Sequence, residues 1–317
     1  MIVTHLGALR GLPAFDFPNP AASGGALPDA DAVAWRISVE PCADDAEEFT
    51  DAWARFVATV DLSAVQALII GQWGESYEAD SSSIVELIVA QQERLTSLRA
   101  VFLADITTEE QEISWIQQSD VTPILATFPR LVELGIRGGT DLQFPPTGHG
   151  CLRRLTVESG GLPVDVVRGI SSSEFPALEF LELWLGDDGY GGDATAEDLS
   201  DLLSGEALPS LKHLGLRNSE IQDAVVHAVV AAPLLARLRT LDLSLGVLTD
   251  DGAAALLASR RFAHLDSLDL HHHFLSDAVV ADLTQHCAEL AVHVDLSEQM
   301  SPDASDGEVW RCIAVTE

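Results

Sequence analysis

The residues of this sequence best suited to chemistry lie near its end. Asp242, Asp269 and Asp295 follow one another at intervals of 27 and 26 residues, within the triplets LDL, LDL and VDL. That spacing places three carboxylates at one position of successive parallel strands, about 4.8 Å apart. Unpaired carboxylates so close repel one another, so the row attracts a cation such as an Arg or Lys of a partner protein. Arg217 and His271 stand at its edge. His271, His272 and His273, with Asp269 and Asp295 as oxygen donors, raise a competing reading, a metal-assisted enzyme centred on Asp269, His271 and Asp295. Successive strand residues point to opposite sides, so the three imidazoles cannot meet one ion. His271 is expected on the exposed side, while His273 turns inward and donates to a backbone carbonyl. The usual histidine spacings of catalytic metal sites are absent, and no metal or cofactor is assigned.

The aromatic residues are few, 6% of the chain, and therefore discriminating. Its two tyrosines, Tyr77 and Tyr190, fall in the Gly/Asp-rich loops GQWGESYEADSSS and LGDDGYGGDAT, with Trp73 and Trp184 at the loop entrances. Exposed Trp, Tyr and Arg dominate binding energy at interfaces. Trp73, Tyr77, Trp184 and Tyr190, with Arg217 nearby, are thus expected to form an interaction rim. The competing expectation is that both tryptophans pack beneath their own loops. Trp53 and Trp115 are assigned to the core. Enzyme signatures are missing: there is no Gly-x-Ser-x-Gly, no phosphate-binding loop and no His-Glu-x-x-His. No catalytic residue is assigned.

These residues are positioned by a repeat. The pattern Leu-x-x-Leu-x-Leu returns as LKHLGL at 211, LRTLDL at 238 and LDSLDL at 265, with weaker copies starting at 65, 98, 131, 152, 178 and 291. Within each copy the fourth and sixth places are apolar and the fifth and seventh vary, the period of a strand with one buried face. Helical segments follow, IQDAVVHAVVAA, LTDDGAAALLAS and LSDAVVADLTQHCA. Thr249 and Ser276 are suited to cap them, with Asp223, Asp250 and Asp277 favoured by the positive helix end. Ser83 with Glu86 and Thr195 with Asp198 read as capping boxes, and Thr122 before Pro123 as another helix start. Ordering some 27 residues costs more than their few inward aliphatics return, so each repeat needs its neighbours. The expected architecture is a quasi-one-dimensional solenoid, read in columns: Ile69, Phe102, Gly135, Thr156, Glu182, Gly215, Asp242, Asp269 and Asp295 at the fifth place, and Gly71 through Arg137, Trp184, Arg217 and His271 at the seventh.

The repeat resembles leucine-rich-repeat proteins of the ribonuclease-inhibitor-like class over 65–296. The segments GLPAFDF, AWRISVEP, ISWIQQSDVTP, GLRNSEIQD and LDLHHH resemble those of a bacterial family in this class that has no assigned activity. The resemblance implies an α/β fold, a curved leucine-rich-repeat solenoid with parallel strands on the concave face, helices on the convex face and a cap at each end. Residues 1–60 read as the N-terminal cap, 61–297 as the repeats, and 298–317 as an acidic linker with a capping strand, VWRCIAV, over the final repeat. At the ninth place, where the class carries Asn or Cys, the clearest copies have Ser219, Gly246 and His273, and Asn218 sits one place early. The usual polar ladder is therefore expected to be broken.

Charge narrows the partner. Lys and Arg number 17 against 50 Asp and Glu, giving a net charge of −33 and excluding nucleic acid and anionic membrane as favoured surfaces. Four scattered cysteines, no signal-peptide pattern and no 18-residue apolar run fit a reducing, cytoplasmic location. The expected function is a non-enzymatic scaffold for a cationic protein or peptide, with the oligomeric state open. The alternatives are the Asp/His metal enzyme and an acidic surface that serves solubility only.

Overall fold

The repeated apolar rungs build one sheet. In the structure, a computed structural model that describes residues 2–20, 25–41, 47–305 and 308–316, twelve strands line up in chain order. They are β1 (Ala8–Leu9), β2 (Leu12–Asp16), β3 (Ala34–Ile37), β4 (Ala67–Ile70), β5 (Ala100–Leu103), β6 (Glu133–Arg137), β7 (Arg154–Glu158), β8 (Phe180–Gly186), β9 (His213–Ser219), β10 (Thr240–Asp242), β11 (Ser267–Asp269) and β12 (His293–Asp295). β1 and β2 form an antiparallel hairpin; from β2 to β12 every neighbour is parallel. Leu68, Val101, Leu134, Leu155, Leu181, Leu214, Leu241 and Leu268 are laterally paired and almost fully buried in one continuous core. All nine strands expected from the repeat are present, and β2 and β3 extend the same sheet into residues 1–60.

Eight helices pack against the core among the described residues: α1 (Phe49–Thr59), α2 (Ser82–Val89), α3 (Thr122–Thr127), α4 (Val164–Ser171), α5 (Ser200–Ser204), α6 (Gln222–Ala231), α7 (Asp250–Leu257) and α8 (Asp277–Leu290). The fold is thus α/β, an open and mostly parallel sheet with its strands in solenoid order. α1 buries Phe49, Trp53 and Phe56 on one face, which puts Trp53 in the core as expected. The hydroxyls of Thr249 and Ser276 accept the N–H groups of Asp251 and Val279 as caps. The helix-start aspartates reach into the next repeat as well: Asp223 accepts from Thr249 N–H at 2.8 Å, and Asp250 from Ser276 N–H at 2.8 Å. The capping box at Ser83 does not form; α2 begins a residue earlier, and Asp80 accepts the Ser82 N–H instead.

The polar ladder is refilled rather than broken. His273 is buried, its Nε2 donates to the Leu296 carbonyl at 3.0 Å, and its Nδ1 accepts from Leu275 N–H. Those partners fix the tautomer. Gln118, Gln222 and Gln299 donate to the carbonyls of Arg137, Leu216 and Leu275.

Both ends fold back. Leu6, Leu9 and Leu12 cover a second apolar cluster of Ala34, Ala67, Ile69, Ala100 and Phe102 on the sheet face away from the helices. The carboxylate of Asp105, fully buried, accepts from Leu6 N–H and from Arg36 Nε at 2.8 Å, while Arg137 stands 3.4 Å away. At the other end VWRCIAV does not form a strand over the final repeat. Among the described residues β14 (Glu308–Trp310) pairs only with β13 (Asp303–Ser305), and the chain beyond runs back over earlier repeats. Cys42 and residues 306, 307 and 317 lie outside the described residues.

Asp105→Ala should leave two guanidinium groups without their shared acceptor and cost about 3–5 kcal/mol. Urea unfolding measures it; a loss below about 1 kcal/mol would show that Asp105 does not anchor the N-terminal segment.

Candidate functional site

The face opposite the helices is covered by the N-terminal segment over β3–β5. Beyond that the strands present their third, fifth and seventh residues outward, and pairing holds these in lateral rows. The fifth row runs Phe102, Gly135, Thr156, Glu182, Gly215, Asp242, Asp269, Asp295, the column read from the sequence. Its glycines are occupied by neighbours: a Cβ on Gly135 would lie 2.2 Å from the Phe102 ring, and one on Gly215 2.8 Å from Glu182 Cγ. Phe102 and Glu182 therefore lean across the next strand.

Arg217 of β9 joins the row together. Its Nη1 donates to Glu182 Oε1 at 2.7 Å, its Nε lies 3.2 Å from Asp242 Oδ2, and its guanidinium stands 5.3 Å from the Trp184 ring centre. Trp184 Nε1 donates to the same Glu182 at 2.9 Å. Arg217 is neutralised on both sides, and Trp184 is buried against it rather than projecting from a rim. Asp242, Asp269 and Asp295 also have a backbone duty. Each accepts the N–H two residues on, from Ser244, His271 and Ser297, at 2.9–3.0 Å. The next residues, Leu245, His272 and Glu298, then take left-handed φ of 67°, 57° and 57°. This is the local turn chemistry that aspartate favours.

One further oxygen remains on Asp269 and on Asp295. His271 Nδ1 lies 2.7 Å from Asp269 Oδ1, and one candidate ligand atom from each of Asp269, His271 and Asp295 lies within 4.8 Å of the others. The structure therefore brings this triad together. Among the described residues no Arg or Lys pairs with Asp269 or Asp295.

Compared with models of known families and with curated proteins, the chain matches none. It is similar to a crystal structure from Bacteroides fragilis, described as a Northeast Structural Genomics Consortium target, with a TM-score of 0.74 and 34% identity over 79% of this chain and 70% of that chain. The chain belongs to that protein's family.

In this member of the family the ionisable groups of the open face follow their surroundings. Burial raises Asp242 despite Arg217, with a smaller push from the neighbouring charge of Asp269. Burial works against the charge on Arg217 too, but two carboxylates outweigh it and its pKa rises. Burial would raise Asp269; its bonds to His271 prevail and hold it low, and the same bond raises His271. The bond to Ser297 lowers Asp295. Burial raises Glu158, although Arg137 Nε donates to it at 2.7 Å.

Sequence reading missed the third row. Arg154, Phe180 and His213 are lateral neighbours; the guanidinium lies 3.5 Å from the Phe180 ring centre, and the His213 ring stacks on Phe180 at 3.9 Å and 4°. Period-two alternation alone would have found them. Arg154 and Phe180, with Leu6, Phe102, Glu133, Thr156, Glu158 and Glu182, edge a cleft of about 210 Å³.

The other predicted rim residues scatter. Trp73 is buried, its Nε1 donating to the Ala79 carbonyl at 2.9 Å, as the packing account expects. Tyr77 is 41% exposed, and Tyr190 is half-buried. Both follow strand C-termini, but four strand spacings, about 19 Å, separate β4 from β8. Trp115 was expected in the core and is 56% exposed, because the Ile113–Trp115 turn buries Ile113 in its place.

Burial pushes the His213 imidazole down to about 4. Above pH 6.5 it is neutral folded or unfolded. As pH falls from 6.5 toward 4, the unfolded chain takes up a proton that the native site refuses, costing up to about 3 kcal/mol. His213→Phe should lose less stability than the parent over that interval in urea titrations; identical pH slopes would sink the assignment.

Proposed function

We propose that the protein is a non-enzymatic scaffold of the leucine-rich-repeat, ribonuclease-inhibitor-like class, its open sheet face concave, which docks a basic protein or peptide in the cytoplasm. Among the described residues no helix is long and apolar enough to cross a membrane. The observation that carries the reading is the uncovered end of the fifth row. Asp242 is matched by Arg217, but Asp269 and Asp295 continue the row with His271 as their titratable neighbour. An Arg or Lys side chain brought there gains from two carboxylates already fixed by backbone bonds, so little ordering is lost on binding. The surrounding charge of −33 speeds its approach. Docking at this end uses Trp184 and Arg217 as a rigid margin; Tyr77 and Tyr190 contribute only to a partner long enough to reach the strand-end loops.

The test uses an octa-arginine peptide as probe and capture from native lysate at low and high salt. Affinity for the probe should fall about tenfold or more between low and moderate salt, and about tenfold in the Asp269→Asn/Asp295→Asn double variant. Asn keeps the acceptor oxygen for the turn, so the unfolding temperature should hardly move. His271 adds a pH signature. Its raised pKa means that lowering pH through that value places a positive charge beside the row, so binding should weaken at acidic pH and His271→Gln should flatten the profile. Unchanged affinity in the double variant would end the docking proposal.

A metal at Asp269, His271 and Asp295 is the second reading, favoured by the convergence of their ligand atoms within 4.8 Å. It implies a hard or borderline divalent cation bound by two carboxylates and one imidazole. Elemental analysis of untagged protein decides it: the docking reading expects no stoichiometric zinc or manganese.

A further inference from the structure

The segment past β14 crosses the edge where the parallel strands end. Ala314 N–H donates to the Leu245 carbonyl beyond β10 at 2.8 Å. Val315 N–H donates to Asn218 Oδ1 at 3.0 Å, and Asn218 Nδ2 donates back to the Val315 carbonyl at 2.6 Å. The Thr316 carbonyl accepts from Ser114 Oγ. The tail therefore runs from β10 over β9 toward the turn after β7, against the order of the strands. Ile313 and Val315 are buried, and Val315 joins the main core.

Several features of the body fit that segment. Asn218 holds φ 50°, is fully buried, and spends its amide on the backbone of Val315 and on the Ser159 carbonyl at 3.2 Å. A paired amide of this kind reads main chain, as a strand neighbour would, and is indifferent to the side chain. Gly160 keeps the floor open: a Cβ there would lie 2.4 Å from the Thr316 carbonyl and 2.1 Å from Ser114 Oγ. Alternate aliphatic residues enter the core, and backbone groups of the body meet backbone groups of the tail. The connection to the tail is short of anchors, since β13 and β14 pair with each other and with no strand of the main sheet among the described residues.

We infer that the strand-end groove formed by Ser114, Gly160, Asn218 and Leu245 is a peptide-acceptor site for an extended segment with aliphatic side chains two residues apart, and that residues 313–316 are its built-in, displaceable occupant. The tail is then an autoinhibitory strap: a partner segment of the pattern Ile-x-Val binds when the strap leaves. This site is independent of the acidic row, because it reads backbone and aliphatic side chains and lies at the strand ends.

The probe is a fluorescent hexapeptide of residues 311–316 carrying Cys312→Ser. Effective concentration protects the groove in the parent chain, so the peptide should bind it at least about tenfold more weakly than it binds the full-length Val315→Asp variant, whose strap cannot re-enter the core. Gly160→Ala added to that variant should abolish binding. No binding to a folded Val315→Asp protein, or binding unaffected by Gly160→Ala, overturns the proposal and leaves a permanent clasp. Should Val315→Asp fail to fold, hydrogen exchange of the parent chain decides. The Val315 amide should exchange by local opening, at least about tenfold faster than the core amide of Leu214. Exchange of both at the rate of global unfolding would overturn the strap.

Discussion

The lateral register of parallel strands is the constraint on which everything else in this molecule rests. A repeat of about 27 residues cannot offset its own ordering entropy with the few aliphatic residues it turns inward. Each therefore depends on a neighbour that pairs its backbone and covers its leucines. Register is pinned because the side-chain period is two, and a slip of one residue would carry Leu214 or Leu241 to the outside. The second tie between repeats is polar. Asp223 and Asp250 each hold the cap of the following helix, so the helical layer and the sheet advance in step.

The same register dictates the electrostatics of the open face. Residues of like place are forced to within about 4.8 Å of each other, so a charge in one strand must be answered in the next or left facing water. Where the N-terminal segment covers the sheet, the buried guanidinium groups are answered by carboxylates. Asp105, Arg36, Arg137 and Glu158 form a buried chain with alternating sign. Arg217 does the same between Glu182 and Asp242. On β11 and β12 no guanidinium follows, and the cover has ended too. Desolvation cost explains the pairing of those two facts: carboxylates without a counter-charge remain only where water reaches them.

Much of this was legible in the residues. Two apolar places in each copy fixed the strands, their order and the outward rows, because strand alternation is local and survives any loop. His273 was placed inward by its ninth place in the repeat, where the class carries Asn, and it donates to the Leu296 carbonyl there. What escaped depended on which of several similar residues wins a contact, some of them local and some distant in sequence. Trp73 and Trp184 look alike as loop-entrance aromatics, yet one turns under its loop to reach Ala79 and the other lies against Arg217. Trp115 lost its core place to Ile113, a competition between apolar residues two places apart that composition cannot settle. Ser83 failed as a cap because Asp80 reaches the first free amide of α2. The path of the tail had one sequence clue, the misplaced Asn218, whose significance depends on residue 315.

Gly215 shows how closely packing and charge are joined in the fifth row. It separates Glu182 from Asp242 by two strand spacings, about 9.6 Å, too far for one carboxylate to repel the other strongly in a polar environment. The missing side chain lets Glu182 lean inward and brings both acids within reach of the guanidinium of Arg217, which rises from the strand between them. Three charges over three strands then sum to a single excess negative charge, covered on one side by the Trp184 ring. No such glycine separates Asp242, Asp269 and Asp295, which stand on consecutive strands. Arg217 answers Asp242, whereas Asp269 and Asp295 are held by turn amides and by His271 rather than by a fixed cation. The acidic row is thus continuous in sequence but divided in energy, and the attraction for a positive ligand concentrates on β11 and β12.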